Sequence, residues 1–169
     1  MKKNIIRKAT EDDVGKLYQI ARELKAKNEI HYFERCLVEQ NAKKREIFIA
    51  EFSGEPAGYV QLIWSPIYPP FKKLDIPEIQ DLNVVPDMRC KGIGSMLVDH
   101  CEEVVKNAGK EEVGIGFGLN SNFGAAHRLY IKKGYIPDGL GVSYDDELIN
   151  AGDLRAVDDF LTLKLTKKI

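Results

Sequence analysis

This sequence of 169 residues lacks long apolar runs, an even number of cysteines and an excess of charge of either sign. No apolar run approaches the roughly 20 residues of a membrane-spanning helix, and the apolar segment after Met1 is too short for a signal peptide. The three cysteines, Cys36, Cys90 and Cys101, are odd in number and lack metal-site spacing. We therefore expect a cytoplasmic protein with reduced thiols, no metal and no membrane partner.

The charges of the chain are balanced, with 25 Lys and Arg against 26 Asp and Glu, which gives a formal net charge of −1. Such a chain has no field that would hold a polyanion, so we expect no nucleic-acid partner. The hydrophobic fraction of 44% and the charged fraction of 30% are typical of a globular protein. At this length, we expect one domain spanning residues 1–169.

The most informative segment, Pro77–Val105, combines a strand pattern, a glycine loop and a helix pattern. The start of a helix after such a loop turns backbone N–H groups toward one point, which favours anions. Gly92 and Gly94 carry no side chain that would keep a phosphate away, and Arg89 and Lys91 add positive charge. The segment predicts a pyrophosphate site, although two glycines also occur in an ordinary strand-to-helix turn.

The segment Val84–Gly94 resembles motif A of the GNAT family of N-acetyltransferases, with valine, proline, arginine and two glycines in place. It lacks the P-loop pattern and the three glycines of the dinucleotide fingerprint. A later segment resembles motif B of the same family through Asn122, Ala125, Tyr130, Lys132, Gly134 and Tyr135. Two motifs in the right order, separated by a helix and a strand, are far more specific than either alone.

The patterns follow the order β-α-α-β-β-β-α-β-α-β-β, which predicts a mixed α/β fold with a mostly antiparallel central sheet flanked by helices. The resemblance implies the acyl-CoA N-acyltransferase fold. It also implies acetyl-CoA as cosubstrate, with its pantetheine arm on the backbone of the fourth strand and its pyrophosphate on the glycine loop. The cofactor-binding residues so implied are Leu82, Asn83, Val84, Arg89, Cys90, Lys91, Gly92, Ile93, Gly94, Ser95 and Asn122.

Acetyl transfer to an amine needs a base for the amine, a donor for the oxyanion and an acid for the departing thiolate. The resemblance assigns the acid to Tyr130, whose alternative role is that of a core aromatic residue. Glu78 and Asp81 are candidate bases on the fourth strand; three positions apart, they would point to opposite faces of a regular strand. We favour Asp81, as base or as an anchor for the ammonium group. The alternative bases are three histidines, His31, His100 and His127. His100 falls on the buried stripe of the helix after the glycine loop.

The acceptor cleft is expected to lie beside the first helices, the loop Pro66–Pro77 and the segment Tyr144–Asp159. Acidic residues prevail there: Glu29, Glu34, Asp75, Glu78, Asp81, Asp145, Asp146, Asp158 and Asp159. Acidic borders favour a cationic acceptor. The sequence therefore predicts an N-acetyltransferase for the primary amine of a small cationic molecule. A protein or peptide N-acetyltransferase and a non-catalytic acyl-CoA-binding sensor are alternatives, and a homodimer is left open.

Four local expectations concern the second half of the chain. Ser121 or Asn122 should cap the motif B helix. The alternating glycines of the strand Glu111–Leu119 indicate close approach of the neighbouring helix or of a bound ligand, with packing favoured. Asp145–Arg155 is interpreted as a polar excursion between two strands. The charged residues Lys164–Lys168 read as a solvated end.

Overall fold

The computed structural model describes residues 4–169, whose strands form one sheet in the order β1-β2-β3-β4-β5-β8-β6-β7. The strands are β1 Ile5–Lys8, β2 Arg45–Phe52, β3 Glu55–Ile63, β4 Glu78–Val84, β5 Glu112–Gly118, β6 Ile136–Tyr144, β7 Glu147–Leu148 and β8 Leu161–Lys168. The helices are α1 Val14–Glu23, α2 Tyr32–Asn41, α3 Pro69–Lys73, α4 Ile93–Asn107 and α5 Gly124–Lys132. The predicted mixed, mostly antiparallel sheet flanked by helices is confirmed.

The chain divides into two compact units. The first comprises the chain up to Trp64 together with Ile79–Val104, and the second comprises Ser65–Glu78 and Val105–Ile169. The expectation of a single domain stays a prediction. No helix within residues 4–169 has the length and apolar character needed to cross a membrane.

In the first unit, a capping box starts the helical region after β1. The Asp13 carboxylate accepts hydrogen bonds from the backbone N–H and the hydroxyl of Thr10, and a 3-10 turn then leads into α1. The apolar face of α1 packs against α2 and the strands β2 and β3 in a fully buried core. Gln40 joins α2 to β2 and to the residue that follows β1, because its amide accepts from the N–H of Ile47 (2.8 Å) and donates to the carbonyl of Ala9 (2.9 Å).

In the second unit, β5 pairs antiparallel with β8 and presents three glycines on one face: Gly114, Gly116 and Gly118. A Cβ atom added at these positions would lie 2.2 Å from the Phe71 ring, 3.0 Å from the Lys164 side chain and 2.4 Å from the Phe123 ring, respectively. The favoured explanation, close packing of side chains, is therefore confirmed.

The structure contains two elements that the sequence did not predict. The proline-rich loop holds the short helix α3, which begins at Pro69, where the missing N–H of proline costs nothing. The polar excursion holds β7, which pairs with β6 through a turn in which Asp145 and Asp146 have φ of 49° and 63°. Aspartate tolerates this left-handed conformation better than most residues, so the turn forms without glycine.

The expectation that Lys164 belongs to a solvated end is wrong. Its residue exposure is 4%, and its Nζ lies 2.6 Å from Glu78 Oε1 and 2.7 Å from Asp146 Oδ1. Pairing of Lys164 with Gly116 in the β5–β8 register leaves room for the lysine stem beside the glycine backbone. Two carboxylates then compensate the burial of the ammonium group.

Candidate active site

The motif A loop continues directly from β4. The N–H of Val85 donates to the carbonyl of Ala57 (2.9 Å), and Arg89 Nε donates to the carbonyl of Val84 (3.2 Å). Cys90 and Gly92 both have left-handed backbone, with φ of 59° and 80°. A Cβ atom at Gly92 would meet no protein atom within 4 Å, so the left-handed conformation is what favours glycine within the protein itself.

The loop delivers the chain to α4 with its charged residues exposed. Ile93 is buried and fixes the first turn of the helix, whereas Arg89, Lys91 and Gly92 are exposed. The first N–H groups of an α-helix have no intrahelical acceptor and favour an anion. The loop therefore has the geometry and charge expected of a phosphate-binding segment.

The strand β4 is irregular at Asp81, whose φ is 50°. The side chain of Asn83 donates to the carbonyl of Asp81 (3.1 Å) and supports this conformation. On the neighbouring β3, a Cβ atom at Gly58 would lie 2.4 Å from the Asn83 oxygen, so the two backbones are in close contact. Because of this irregularity, the expected alternation does not decide which way Glu78 and Asp81 point.

The Asp81 carboxylate is exposed and makes two hydrogen bonds through one oxygen. Oδ2 accepts from the Tyr32 hydroxyl (2.6 Å) and from Gln61 Nε2 (2.8 Å), and Gln61 Nε2 also donates to the Tyr32 hydroxyl (2.9 Å). Burial, together with the charge of Asp81, raises the pKa of the Tyr32 phenol, which therefore keeps its proton and acts as a donor. Within residues 4–169, no cationic side chain forms an ion pair with this carboxylate.

The other candidate base, Glu78, lies in a different environment. It is 1% exposed, and its carboxylate accepts from Lys164 Nζ at 2.6 Å. Although burial alone would lower the pKa of Lys164, the charges of Glu78 and Asp146 outweigh it and raise the pKa. The ammonium group therefore stays charged, and the Glu78 carboxylate is engaged by it.

Tyr130 lies on α5 and is 5% exposed. Its ring stacks at 6.2 Å on Phe117 and lies 6.2 Å from the ring of Tyr135. Burial raises the pKa of the phenol, so the hydroxyl is protonated at neutral pH. Within the described residues 4–169, this hydroxyl has no hydrogen-bond partner. Tyr130 thus packs as a core aromatic residue and still has a proton that it can donate.

Asn122 is exposed and lies in a 3-10 turn before α5. The expected cap at Ser121 or Asn122 is wrong: the side chain of Asn120 accepts from the N–H of Asn122 (3.0 Å). Asn120 therefore caps the 3-10 turn, because the side-chain oxygen of an asparagine can reach the backbone N–H two residues further along the chain.

The three histidines lie in different surroundings. His100 packs edge-on against Phe48 at 4.6 Å, and its burial lowers its pKa. His127 lies 2.7 Å through Nε2 from the carbonyl of Gly118, and His31 is exposed beside Glu34. His100 and His127 thus have packing or backbone contacts. Residues 4–169 contain no group of three or more His, Cys, Asp or Glu side chains placed to hold a metal ion.

Tyr32 and Gln61 were not among the residues predicted from the sequence. Both contact Asp81 across long stretches of chain, 49 and 20 positions away, so no local motif could reveal them. One signal was present: Gln61 interrupts the otherwise apolar core of β3, and a polar residue in such a position needs buried partners.

The chain matches the acetyltransferase (GNAT) family over residues 12–135. Across 136 residues, 77% of this chain and 83% of the relative, it is 32% identical to an aminoalkylphosphonate N-acetyltransferase of Salmonella typhimurium. Among solved structures, it is similar to a ribosomal-protein-alanine N-acetyltransferase from Brucella melitensis, with a TM-score of 0.72, 19% identity and coverage of 98% and 99% of the two chains. It is also similar to a GNAT acetyltransferase from Elizabethkingia anophelis with acetyl-CoA bound, with a TM-score of 0.65, 17% identity and full coverage of both chains (100% each).

The chain therefore belongs to the GNAT family of acetyltransferases. The predictions of the family, the fold and the enzyme class are confirmed. The expected cosubstrate, acetyl-CoA, is the molecule held by the similar structure from Elizabethkingia anophelis.

Proposed function

We propose that this acetyltransferase moves an acetyl group from acetyl-CoA to the primary amine of a small cationic molecule, and that Asp81 receives the amine. The observation that carries the proposal is the environment of the Asp81 carboxylate. It is exposed, its donors Tyr32 and Gln61 are both uncharged, and Oδ1 has no partner within residues 4–169. Since neither donor carries a positive charge, the negative charge of the carboxylate is available to attract an incoming ammonium group.

The reaction follows from the family resemblance. The pyrophosphate of acetyl-CoA is expected on the loop Arg89–Ser95, and the pantetheine arm on the backbone of Leu82–Val84. The ammonium group gives one proton to Asp81, directly or through water, and the neutral amine nitrogen then forms a bond to the thioester carbon. After this bond has formed, the nitrogen loses a second proton to water. The C–S bond then breaks, the oxyanion having been stabilised by a backbone N–H near Val84. Tyr130 donates its proton to the departing thiolate.

The number of acidic residues around the expected cleft overstates the support for a cationic acceptor, because several of them form ion pairs within the protein. Glu29 contacts Arg35, Asp75 contacts Lys110, and Glu78 and Asp146 share Lys164. These carboxylates are compensated by cations of the protein itself. The preference for a cationic amine is therefore argued from Asp81 rather than from the acidic composition of the cleft.

The similarity to an aminoalkylphosphonate N-acetyltransferase supports a small-molecule acceptor. It also favours a second candidate, an amine that carries a phosphonate group. The two candidates differ in net charge and hence in their response to salt, because screening weakens the attraction of a carboxylate for a cation.

Release of free CoA by the purified protein tests the proposal. The acceptors are spermidine, kanamycin, a lysine-rich peptide, 2-aminoethylphosphonate and glutamate, each at low and high salt. We expect the highest kcat/KM for spermidine or kanamycin and a fall in that value as salt rises. A preference for glutamate or 2-aminoethylphosphonate, or rates on cations that do not change with salt, would contradict the cationic acceptor.

The same assay separates an enzyme from a binding module. Calorimetry with acetyl-CoA in the absence of an amine measures cosubstrate binding alone. Binding of acetyl-CoA without CoA release on any acceptor would favour the acyl-CoA-binding sensor, and turnover of the peptide alone would favour a peptide N-acetyltransferase.

A further inference from the structure

The hydrogen bonds of Asp81 continue into the interior of the first unit. Gln61 is 1% exposed, and its Nε2 donates to Asp81 Oδ2 at 2.8 Å and to the Tyr32 hydroxyl at 2.9 Å. Its oxygen, Oε1, accepts from Arg45 Nη1 at 2.6 Å. Every polar atom of this buried amide therefore has a partner.

Arg45 determines which end of the amide faces Asp81. A guanidinium group only donates hydrogen bonds, so the oxygen of Gln61 must face Arg45 and the NH2 group must face the carboxylate. The reversed amide would set its oxygen against the Asp81 carboxylate and its NH2 group against the guanidinium. Arg45 is itself held by Glu39, whose Oε2 accepts from Nε at 2.6 Å.

We propose that Gln61, oriented by Arg45, is a positioning residue that fixes the direction of the Asp81 carboxylate for the acceptor amine. This inference rests on the proposed role of Asp81. Gln61 and Tyr32 hold Oδ2, so Oδ1 is the oxygen presented to the amine. The positive φ of Asp81 makes such support necessary, because a strained backbone persists only where its surroundings hold it.

A double-mutant cycle separates positioning from a purely structural role. The variants are Gln61→Leu, Asp81→Asn and the two combined, assayed with acetyl-CoA and spermidine. We expect Gln61→Leu to lower kcat/KM for spermidine about 10- to 100-fold, the range for a misplaced group, with KM for acetyl-CoA unchanged. When Asp81→Asn is already present, adding Gln61→Leu should cause no further fall in kcat/KM for spermidine. Independent losses that multiply in the combined variant would overturn the inference.

Arg45→Met tests the inference without altering the buried amide itself. It should reproduce most of the loss of Gln61→Leu, and Arg45→Lys, which keeps a donor for the Gln61 oxygen, should restore part of it. The matched control is Lys8→Met, because Lys8 pairs with Glu46, the next residue of β2, at 2.6 Å. This control should keep the activity of the wild type. If Gln61→Leu does not fold, Arg45→Met carries the test.

The proposed function and this inference can fail separately. If the wild type acetylates spermidine but the losses caused by Gln61→Leu and Asp81→Asn multiply in the combined variant, only the positioning role is overturned. If no amine of the panel is acetylated by the wild type, the proposed function fails, and crystal structures of the wild type and Arg45→Met decide the positioning role. Loss of the bond between Gln61 Nε2 and Asp81 in Arg45→Met would support it, and an unchanged bond would overturn it.

Discussion

At Asp81, a single residue combines backbone strain with an exposed charge. Its φ of 50° lies in the left-handed region, a conformation that costs about 1–3 kcal/mol for a residue other than glycine. Asn83 holds the Asp81 carbonyl, while Tyr32 and Gln61 hold the carboxylate. Strain that several neighbours maintain is typical of functional sites, which agrees with the proposed role of Asp81.

Asp13 illustrates a residue whose charge stabilises the fold. Hydrogen bonds from the Arg7 guanidinium, at 2.7 Å each, hold the pKa of the Asp13 carboxyl well below its ordinary value. We expect Asp13→Asn to lower the free energy of unfolding at pH 7 by about 1–3 kcal/mol, between the loss of a helix cap and the breaking of a buried ion pair.

The pH dependence of this effect has a definite sign. Because folding lowers the pKa of Asp13, its stabilisation is complete above the ordinary aspartate pKa of about 3.9 and is lost as the pH falls below it. Urea unfolding of wild type and Asp13→Asn should therefore show a difference that shrinks from pH 5 toward pH 2. Asp12→Asn, at an exposed position of the same turn, is the control. A difference that stays constant with pH would contradict this account.

Tyr130→Phe tests the proposed acid at the same scale. The ring contacts with Phe117 and Tyr135 persist in the variant, so acetyl-CoA affinity should stay within twofold. We expect kcat to fall about 100-fold, the usual contribution of general acid catalysis. Steady-state kinetics and calorimetry measure the two quantities. An unchanged kcat would assign Tyr130 to packing alone.

Among the elements, the start of α4 is the one on which cosubstrate binding is expected to depend. Gly94→Val places a branched side chain in the first turn of α4, where phosphate is expected to approach the backbone. We expect the dissociation constant of acetyl-CoA to rise at least about tenfold, which corresponds to 1.4 kcal/mol. Calorimetry measures the change.

Gly15→Val is the matched control for this element. Gly15 is the second residue of α1, as Gly94 is of α4, and a Cβ atom there would meet nothing within 4 Å. The control should leave acetyl-CoA affinity unaltered. Equal weakening by both variants would mean that valine acts through helix stability, and unchanged affinity in a folded Gly94→Val protein would refute the loop as phosphate site.

Sequence patterns predicted the long elements well because each carries its own periodicity. The strand, the glycine loop and the helix α4 of the segment Pro77–Val105 were foreseen from local signals, and so was the order of the long elements. The partners of Asp81 and the burial of Lys164 could not be foreseen, since both depend on contacts between residues far apart in the chain. The same holds for Glu78, whose pairing with Lys164 spans 86 positions.

For the whole molecule, the expectation of one domain makes a thermodynamic prediction. The chain has one tryptophan, Trp64, which reports on the first unit, whereas circular dichroism reports on all helices and strands. A single cooperative domain predicts that both signals change at the same urea concentration with the same slope. Transitions that do not coincide would show that the two compact units unfold separately.

The role of Asp81 as the group that receives the acceptor amine is tested most directly by the kinetics of Asp81→Asn. Asparagine keeps the size of the side chain and removes its charge and basicity. With spermidine as acceptor, we expect kcat/KM for the amine to fall at least about 100-fold, while the acetyl-CoA dissociation constant stays within twofold. A value of kcat/KM within twofold of the wild type would contradict the proposed site.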